Sequence, residues 1–463
     1  MIEIEENSKY KKKYYLQYIE FVLFINIIFL LAFGIYNYKK SFSPYDPKIK
    51  EIKIGDGKSA KIGIISDFQL RKHYENISFK YYSDNVYRAL KAFKKLNIDI
   101  IIIAGDITND GKVINYLYFK EIYYSIFENN KKPILISLMG NHDYNDKNYT
   151  KLGNQEKFYN YINEYPFSHY IINNYNFIFW SNNHIKNEKS EKEENSWIKS
   201  RLEIARKNKK RVGDPIFVIS HMPPLKTVYG SENIWGNKYV YKILKNYPEA
   251  ISISGHSHYS LRNIKSIWQG EFTAINIQSI SYVDLDKFYI NYKDVRFESA
   301  KEDSMGLIVY LNEKNVIFDR IKFFDEEIME ERWNLNFPLY VSNFKYKFEK
   351  MNKKIKPVFD KKNKIEIQKI NMNNKNITFI IFNAALHEDY VYRYKVCLKS
   401  KENPKNNKIF YYYSDYYKNK KFRKKILKFE LPKDINEDKY NIYIYAMDSF
   451  DNISDPIKGI INI

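Results

Sequence analysis

The sequence predicts a layered α/β domain, preceded by an apolar membrane-spanning helix and followed by an all-β sandwich. Three observations carry this. From Lys61 to Gly255, short apolar runs bounded by turn residues alternate with helically patterned stretches. Residues 21–36 (FVLFINIIFLLAFGIY) form a sixteen-residue run without a charge. In the last 120 or so residues helical patterning fades, and β-rich runs alternate with clusters of Asn, Lys and Pro.

The N-terminal run is flanked by Tyr14, Tyr15 and Tyr18 on one side and Tyr36 and Tyr38 on the other. As a helix, residues 18–36 cover roughly 27 Å, close to the hydrocarbon thickness of a bilayer, with aromatic rings where interfacial belts sit. Lys9, Lys11, Lys12 and Lys13 precede the run, while Lys39 and Lys40 follow it. No small-residue cleavage pattern follows. The expectation is a cytoplasmic N-terminus (1–13), a single-pass signal-anchor (14–38) and a linker with two prolines (39–58), leaving the catalytic part outside the cytoplasm.

In the domain expected over 59–330, the runs KIGIIS (61–66), IDIIIIAG (98–105), PILISLMG (133–140), PIFVIS (215–220) and AISISG (250–255) read as strands. Residues 82–95, 119–129, 155–165 and 196–209 read as helices between them. Beyond, residues 340–463 supply YKFEK, KIEIQKI, ITFIIFN, YVYRYKVCLK, KILKFELP and YNIYIYAMD as short strands of a second, all-β domain.

Composition excludes several function classes. A hydrophobic fraction of 44% and an aromatic fraction of 17% are too high for a disordered chain. The one cysteine, Cys397, excludes an internal disulfide, a thiolate zinc cluster and an iron-sulfur site. The formal charge of +21 favours anionic partners without choosing among them. Residues 341–463 hold 27 Lys plus Arg against 14 Asp plus Glu, so the C-terminal part is the more basic. There, residues 411–429 interleave aromatics with Lys and Arg, a composition that could suit an anionic surface or polymer but is explained more simply by a Lys-rich loop on a sandwich without any ligand.

Five short motifs stand at the ends of the predicted strands. Asp67 and Gln69 lie in SDFQ, Asp106 in GDITND, Asn141, His142 and Asp143 in GNHD, His221 in SHMPP, and His256 and His258 in GHSH. Ligands of open α/β sheets bind beyond the carboxyl ends of the strands, so these side chains should converge. Carboxylate, imidazole and amide oxygen without thiolate make a donor set suited to Mn, Fe, Zn or Ni. Six or seven such groups exceed the needs of one ion. Two ions about 3.5–4 Å apart would use them all, an arrangement suited to phosphoester hydrolysis.

Over about residues 59–325 the five motifs resemble the calcineurin-like metallophosphoesterase family, whose pattern is D-x-H, G-D-x-x-D/N, G-N-H-D/E, H and G-H-x-H. The resemblance implies a four-layer α/β/β/α sandwich and two divalent metal ions. Asp67, Gln69, Asp106 and His258 would hold one ion, and Asp106, Asn141, His221 and His256 the other, with Asp106 as the bridge. It implies attack of a metal-bridging hydroxide on a phosphomonoester or phosphodiester. His142 would then act on the scissile phosphate, with Asp143 orienting its imidazole. Gln69 departs from the family's His, and Asn109 and Asp110 are expected beside the ligands rather than among them. The residues 439–457 resemble the final strands of a fibronectin type III-like module.

Lesser candidates are His73 with Arg71 as a phosphate contact, and His184 at the rim of the cleft. His169 and His387 are expected to be structural, and Asp284, Asp286 and Lys293 receive no role. Two alternatives stay open: a nuclease, and a non-catalytic envelope- or polyanion-binding protein whose metal site Gln69 has disabled.

Overall fold

The computed structural model describes residues 42–71, 77–128, 132–181, 188–232, 235–284, 303–372, 375–432, 435 and 438–462, with isolated positions at 24, 25 and 28. The chain divides into two compact units, Met1–Pro44 and Tyr45–Ile463. Of the run 21–36, only Phe24, Ile25 and Ile28 are described, and all three are helical. Among the described residues no helix is long and apolar enough to cross a membrane. The expected anchor therefore lies almost wholly outside the described residues, as do His73, His184, Asp286 and Lys293.

The larger unit begins with two seven-stranded sheets. One is ordered β1-β5-β6-β7-β8-β10-β9, where β1 is Tyr45–Ile52, β5 Phe167–Ile172, β6 Tyr175–Trp180, β7 Ile216–Ser220, β8 Ala250–Ser254, β9 Ile267–Gln269 and β10 Thr273–Asn276. The other runs β13-β12-β11-β2-β3-β4, with β2 Ala60–Ile65, β3 Ile100–Ile103, β4 Ile134–Ser137, β11 Met305–Leu311, β12 Asn315–Lys322 and β13 Glu327–Ile328. In it, β14 (Trp333–Asn336) pairs with β12.

Side-chain alternation explains the layering. In β3, Ile100 and Ile102 enter a core between the two sheets, while Ile101 and Ile103 enter a second core on the outer face. A strand buried on both faces reads as an unbroken apolar run, as IIII does. The outer core is closed by helices α1 (Ile77–Lys95), α2 (Val113–Phe127) and α3 (Lys151–Ile162). On the other sheet, Phe217 and Ile219 of β7 face inward, whereas Ile216 and Val218 meet α4 (Glu188–Asn208) and α5 (Lys238–Leu244). The result is helices, sheet, sheet, helices, with Ile62, Ile64, Ile100 and Ile102 of one inner sheet sharing a core with Phe177, Phe217 and Ile219 of the other.

Two expectations need correction. The segment 39–58 is not all linker, because residues 45–52 form β1, which pairs in parallel with β5. Pro44 and Pro47 obscured it; proline is tolerated in an edge strand, and the register shifts between Tyr45 and Ile49 where Pro47 sits. The break near 330–340 is also not a boundary in packing, since Trp333, Leu339 and Phe344 belong to the core between the sheets.

The C-terminal part is a two-sheet antiparallel sandwich. One sheet is ordered β15-β16-β19 (Glu366–Met372, Lys375–Asn383, Ile426–Glu430). The other is β18-β17-β20-β21 (Lys408–Tyr413, Arg393–Ser400, Lys439–Met447, Ile457–Asn462). Tyr394, Val396 and Leu398 alternate inward from β17, against Ile380 and Phe382 from β16. A tyrosine cluster joins the sandwich to the α/β part: Tyr229 and Tyr259 pack with Tyr390, Tyr392, Tyr416 and Tyr417. The Tyr229 and Tyr392 hydroxyls hydrogen-bond each other. Much of the aromatic content of 411–429 is thus turned inward, with Tyr412 stacked on Phe429 and Tyr416 fully buried.

Candidate metal centre

The motifs meet where the parallel strands of both sheets end. Asp67 follows β2, Asp106 follows β3 and Asn141 follows β4, and these three strands are neighbours. His221 and the 256–258 loop follow β7 and β8, which are neighbours in the other sheet. Hydrogen bonds continue past the strand ends and fix the turns: Asp67 N–H donates to Gly105 O, Gln69 N–H to Asp106 O, and Gly255 N–H to His221 O.

The backbone at this site is held in an uncommon form. Asp67, Gln69, Asp106, His256 and His258 all have positive φ, between 47° and 73°. Left-handed geometry in non-glycine residues costs about 1 kcal/mol or more each and tends to gather at functional sites. It turns each side chain off the strand axis toward a common point. Gly255 allows the chains to meet, because a Cβ there would lie 2.1 Å from Ser66 Oγ and 2.4 Å from Asp67 Oδ2.

Each carboxylate has one oxygen tied down and one aimed inward. Asp67 Oδ2 accepts the His256 N–H at 3.0 Å, and Asp106 Oδ1 accepts the His142 N–H at 2.8 Å. The opposite oxygens face His221 Nε2, at 3.8 Å from Asp67 Oδ1 and 3.3 Å from Asp106 Oδ2. Asn141 Oδ1 is 3.0 Å from the same nitrogen, and His258 Nε2 is 3.1 Å from Asp67 Oδ1. Asp67, Asp106 and His221 are buried, and their ligand atoms lie within 4.8 Å of one another.

These groups fit a divalent cation. His221 Nδ1 is 2.9 Å from the Ala104 carbonyl, which can only accept, so Nδ1 carries a proton and Nε2 faces three oxygen atoms. A nitrogen lone pair among oxygen acceptors needs a cation between them, either a proton or a metal. Without a metal the proton is held firmly: burial would lower the His221 pKa, but the Asp106 and Asp67 carboxylates raise it to about 9. Burial would likewise raise the Asp67 carboxyl, yet His258 and His221 outweigh it and hold it well below the usual range.

The remaining sites fall as follows. His256 joins through its ring, 5.0 Å from that of His221. Gln69 is 4% exposed, its Nε2 3.4 Å from His258 Nε2 and its amide also hydrogen-bonded to Tyr282. His142 Nδ1 pairs with the Asn109 carbonyl at 2.8 Å. The expected Asp143 partner is therefore replaced by a backbone atom. Both Asp143 oxygens are taken by other donors: the N–H groups of Ile107, Thr108 and Gly140 and the hydroxyls of Thr108 and Tyr116. Burial and the neighbouring Asp106 carboxylate push Asp143 up to about 6. Asp143 thus braces the Asp106 and Asn141 loops rather than the imidazole.

His169 lies apart from the site, where burial lowers it to about 4 while its Nε2 pairs with Asn176. His387 lies in the C-terminal part, its Nε2 3.0 Å from the Ile355 carbonyl. Two neighbours were not foreseen. The Tyr282 ring lies 4.4 Å from His258, and the Trp235 ring 5.0 Å from His256. The available signal for Tyr282 was the strand-end rule, since it follows shortly after β10, and Asp284 N–H donates to His258 O.

Residues 60–260 match the calcineurin-like phosphoesterase family. No curated protein matches the chain. Similar solved structures include a dimetal phosphatase from Danio rerio, 12% identical, covering 60% of this chain and 99% of its own, with a TM-score of 0.41. A Plasmodium protein described as the anchor in the inner membrane complex is 16% identical over 61% of this chain and 90% of its own, TM-score 0.42. A purple acid phosphatase from yellow lupin is 11% identical over 60% of this chain and 54% of its own, TM-score 0.40.

Proposed function

We propose that the chain is a metal-dependent phosphoesterase that hydrolyses a phosphomonoester or phosphodiester. The observation that carries this is the convergence of Asp67 Oδ1, Asp106 Oδ2, Asn141 Oδ1 and the His221 and His258 Nε2 atoms, each with its other polar atom or its backbone fixed elsewhere. Asp67, Gln69, Asp106 and His258 would hold one divalent ion and Asp106, Asn141, His221 and His256 a second. Bound there, the ions would supply an activated water and neutralise charge on the phosphoryl oxygens.

The chain's own groups do the rest. The Asn109 carbonyl fixes the His142 proton on Nδ1, leaving Nε2 as the ring atom available to a phosphoryl oxygen or the departing alcohol. Asp106 is held by the His142 N–H, so the bridge and the imidazole stay in register. Asp143 keeps both loops in place from behind. No Ser or Cys nucleophile is needed.

The membrane anchor at 14–38 belongs to the same proposal, with the catalytic part outside the cytoplasm; the uncharged run 21–36 and the helical Phe24, Ile25 and Ile28 support it. The C-terminal sandwich is read as fibronectin type III-like, supported by its three-plus-four strand division.

The deciding experiment measures metal content and Mn-stimulated hydrolysis of paired aryl phosphomonoester and phosphodiester substrates. Two ions per chain with turnover on one ester class is the expected result. A folded chain that takes up no Mn, Fe or Zn and turns over neither ester overturns the proposal and leaves a binding protein.

A further inference from the structure

A cavity of about 240 Å³ lies beside the junction of the α/β part and the β-sandwich, away from the metal-site residues. Its lining includes Arg320 of β12 and Trp333 of β14, each only 2% exposed. The Arg320 guanidinium sits over the Trp333 ring, 4.5 Å from its centroid. Arg320 Nη1 donates to Leu261 O at 3.1 Å and Nη2 to Glu331 O at 2.7 Å, but its Nε–H is buried without an acceptor. A buried guanidinium with an unanswered donor is costly unless something else completes it.

Charge around the cavity is unbalanced. Arg320, Lys345, Lys350 and Lys353 line it against the carboxylates of Glu331 and Asp389. The Glu331 carboxylate is 77% exposed and 4.0 Å from Arg320 Nη2, so water screens it. Lys353 is paired with Glu388 at 2.7 Å outside the cavity. Lys350 Nζ donates to a backbone carbonyl, that of Phe344, at 3.0 Å, which leaves its charge uncompensated.

We propose that this cavity binds a small phosphate-type oxyanion, free or carrying a short organic substituent, between the Arg320–Trp333 pair and the lysines at its rim. The N–H groups of the planar guanidinium that the two carbonyls leave over, Nε–H among them, suit an oxyanion oxygen, and the Trp333 face holds the guanidinium plane in one orientation. The site is coupled by covalent chain to the metal centre. Arg320 holds the carbonyl of Leu261, and Ile264 lines the cavity, both in the loop that continues from His258. Occupancy of the cavity therefore bears on the loop that carries two histidines of the metal site. The inference does not rest on the phosphoesterase reading.

The test is calorimetric titration of the metal-bearing full chain with orthophosphate and, separately, with methylphosphonate, which cannot be hydrolysed. The double variant Lys345→Glu/Lys350→Glu changes exposed side chains. It should weaken one binding event at least tenfold with both anions, while phosphate binding at the metal centre is unchanged. Arg320→Lys, which keeps the charge and loses the fork, should weaken the same event with the circular dichroism spectrum preserved. Retention of orthophosphate but not methylphosphonate would assign the cavity to the free ion, and retention of both to a substituted phosphate group. Equal affinity in the wild type and the double variant, or no binding event outside the metal centre, would overturn the proposal. Because binding is read directly, it stands or falls separately from turnover.

Discussion

Replacing Gly140 by Ala isolates the spacing of the metal site from its chemistry. A Cβ on Gly140 would lie 2.1 Å from Asp106 Oδ1, 2.5 Å from the Asp106 nitrogen and 2.7 Å from Asp106 Cγ. Relief to an ordinary contact moves the oxygen by more than 1 Å. That oxygen accepts the His142 N–H at 2.8 Å, and the same carboxylate presents Oδ2 to His221 at 3.3 Å. Overpacking costs about 1–3 kcal/mol when side chains can yield. Here the struck atoms are backbone and a proposed bridging ligand, so the upper figure applies, and about 3 kcal/mol withdrawn from metal binding is roughly a hundredfold in affinity. Gly153→Ala is the matched control: in α3 its Cβ meets Tyr149 Cδ1 at 3.3 Å and Thr150 Oγ1 at 3.4 Å, and the change gains up to about 1 kcal/mol of helix stability. The assay is Mn titration by calorimetry on both variants, with metal content after purification. A folded Gly140→Ala chain that binds Mn as the wild type does would refute the assignment of Asp106 as the shared ligand.

His142→Ala should keep its metal and lose turnover by about a hundredfold or more, as removal of a proton-handling group does; loss of metal instead would make His142 a ligand. Glu164 gives a pH effect away from the site. Burial raises its pKa from 4.5 to about 7, against the opposing Lys50 charge and the Tyr170 hydroxyl bond. The folded state therefore takes up this proton first. Its stabilising contribution is complete below about pH 4.5 and is lost as pH rises through 7, about 3 kcal/mol in all. Glu164→Gln should flatten that slope, measured by denaturant unfolding at pH 5 and pH 8. An unchanged slope would contradict it.

The strand ends and their motifs were legible because a two-sided strand such as IIII must be apolar throughout, and because each proposed ligand follows its strand directly. What the letters do not record is partnership through the backbone. His142 pairs with the carbonyl of Asn109, an atom every residue possesses, so GNHD pointed to Asp143 instead. Tyr282, Trp235 and the tyrosines that join the two parts were hidden for another reason. In a chain with 44 tyrosines, no single one stands out until folding brings it to His258 or to Tyr229. β1 was masked by proline, which speaks against a central strand and not against an edge.

The strain at the proposed ligands bears on what metal removal should do. Five left-handed residues, Asp67, Gln69, Asp106, His256 and His258, together cost several kcal/mol. The protein meets that cost itself: Asp67 N–H bonds Gly105 O, Gln69 N–H bonds Asp106 O, Asp284 N–H bonds His258 O, and Ser279 Oγ bonds Asp67 O. Three buried cores behind the loops are complete without any ion. A cation would thus be received by a formed site, unlike a zinc finger, whose fold depends on its metal. Chelation should leave the far-ultraviolet circular dichroism spectrum intact and lower the thermal midpoint only by the linkage energy, about 3 kcal/mol at a hundredfold excess of free metal over Kd. Adding Mn back should restore the midpoint within mixing time. Loss of the α/β spectrum on chelation would show that the metal builds the strained loops, and that the hydrogen bonds at the strand ends do not suffice to hold them.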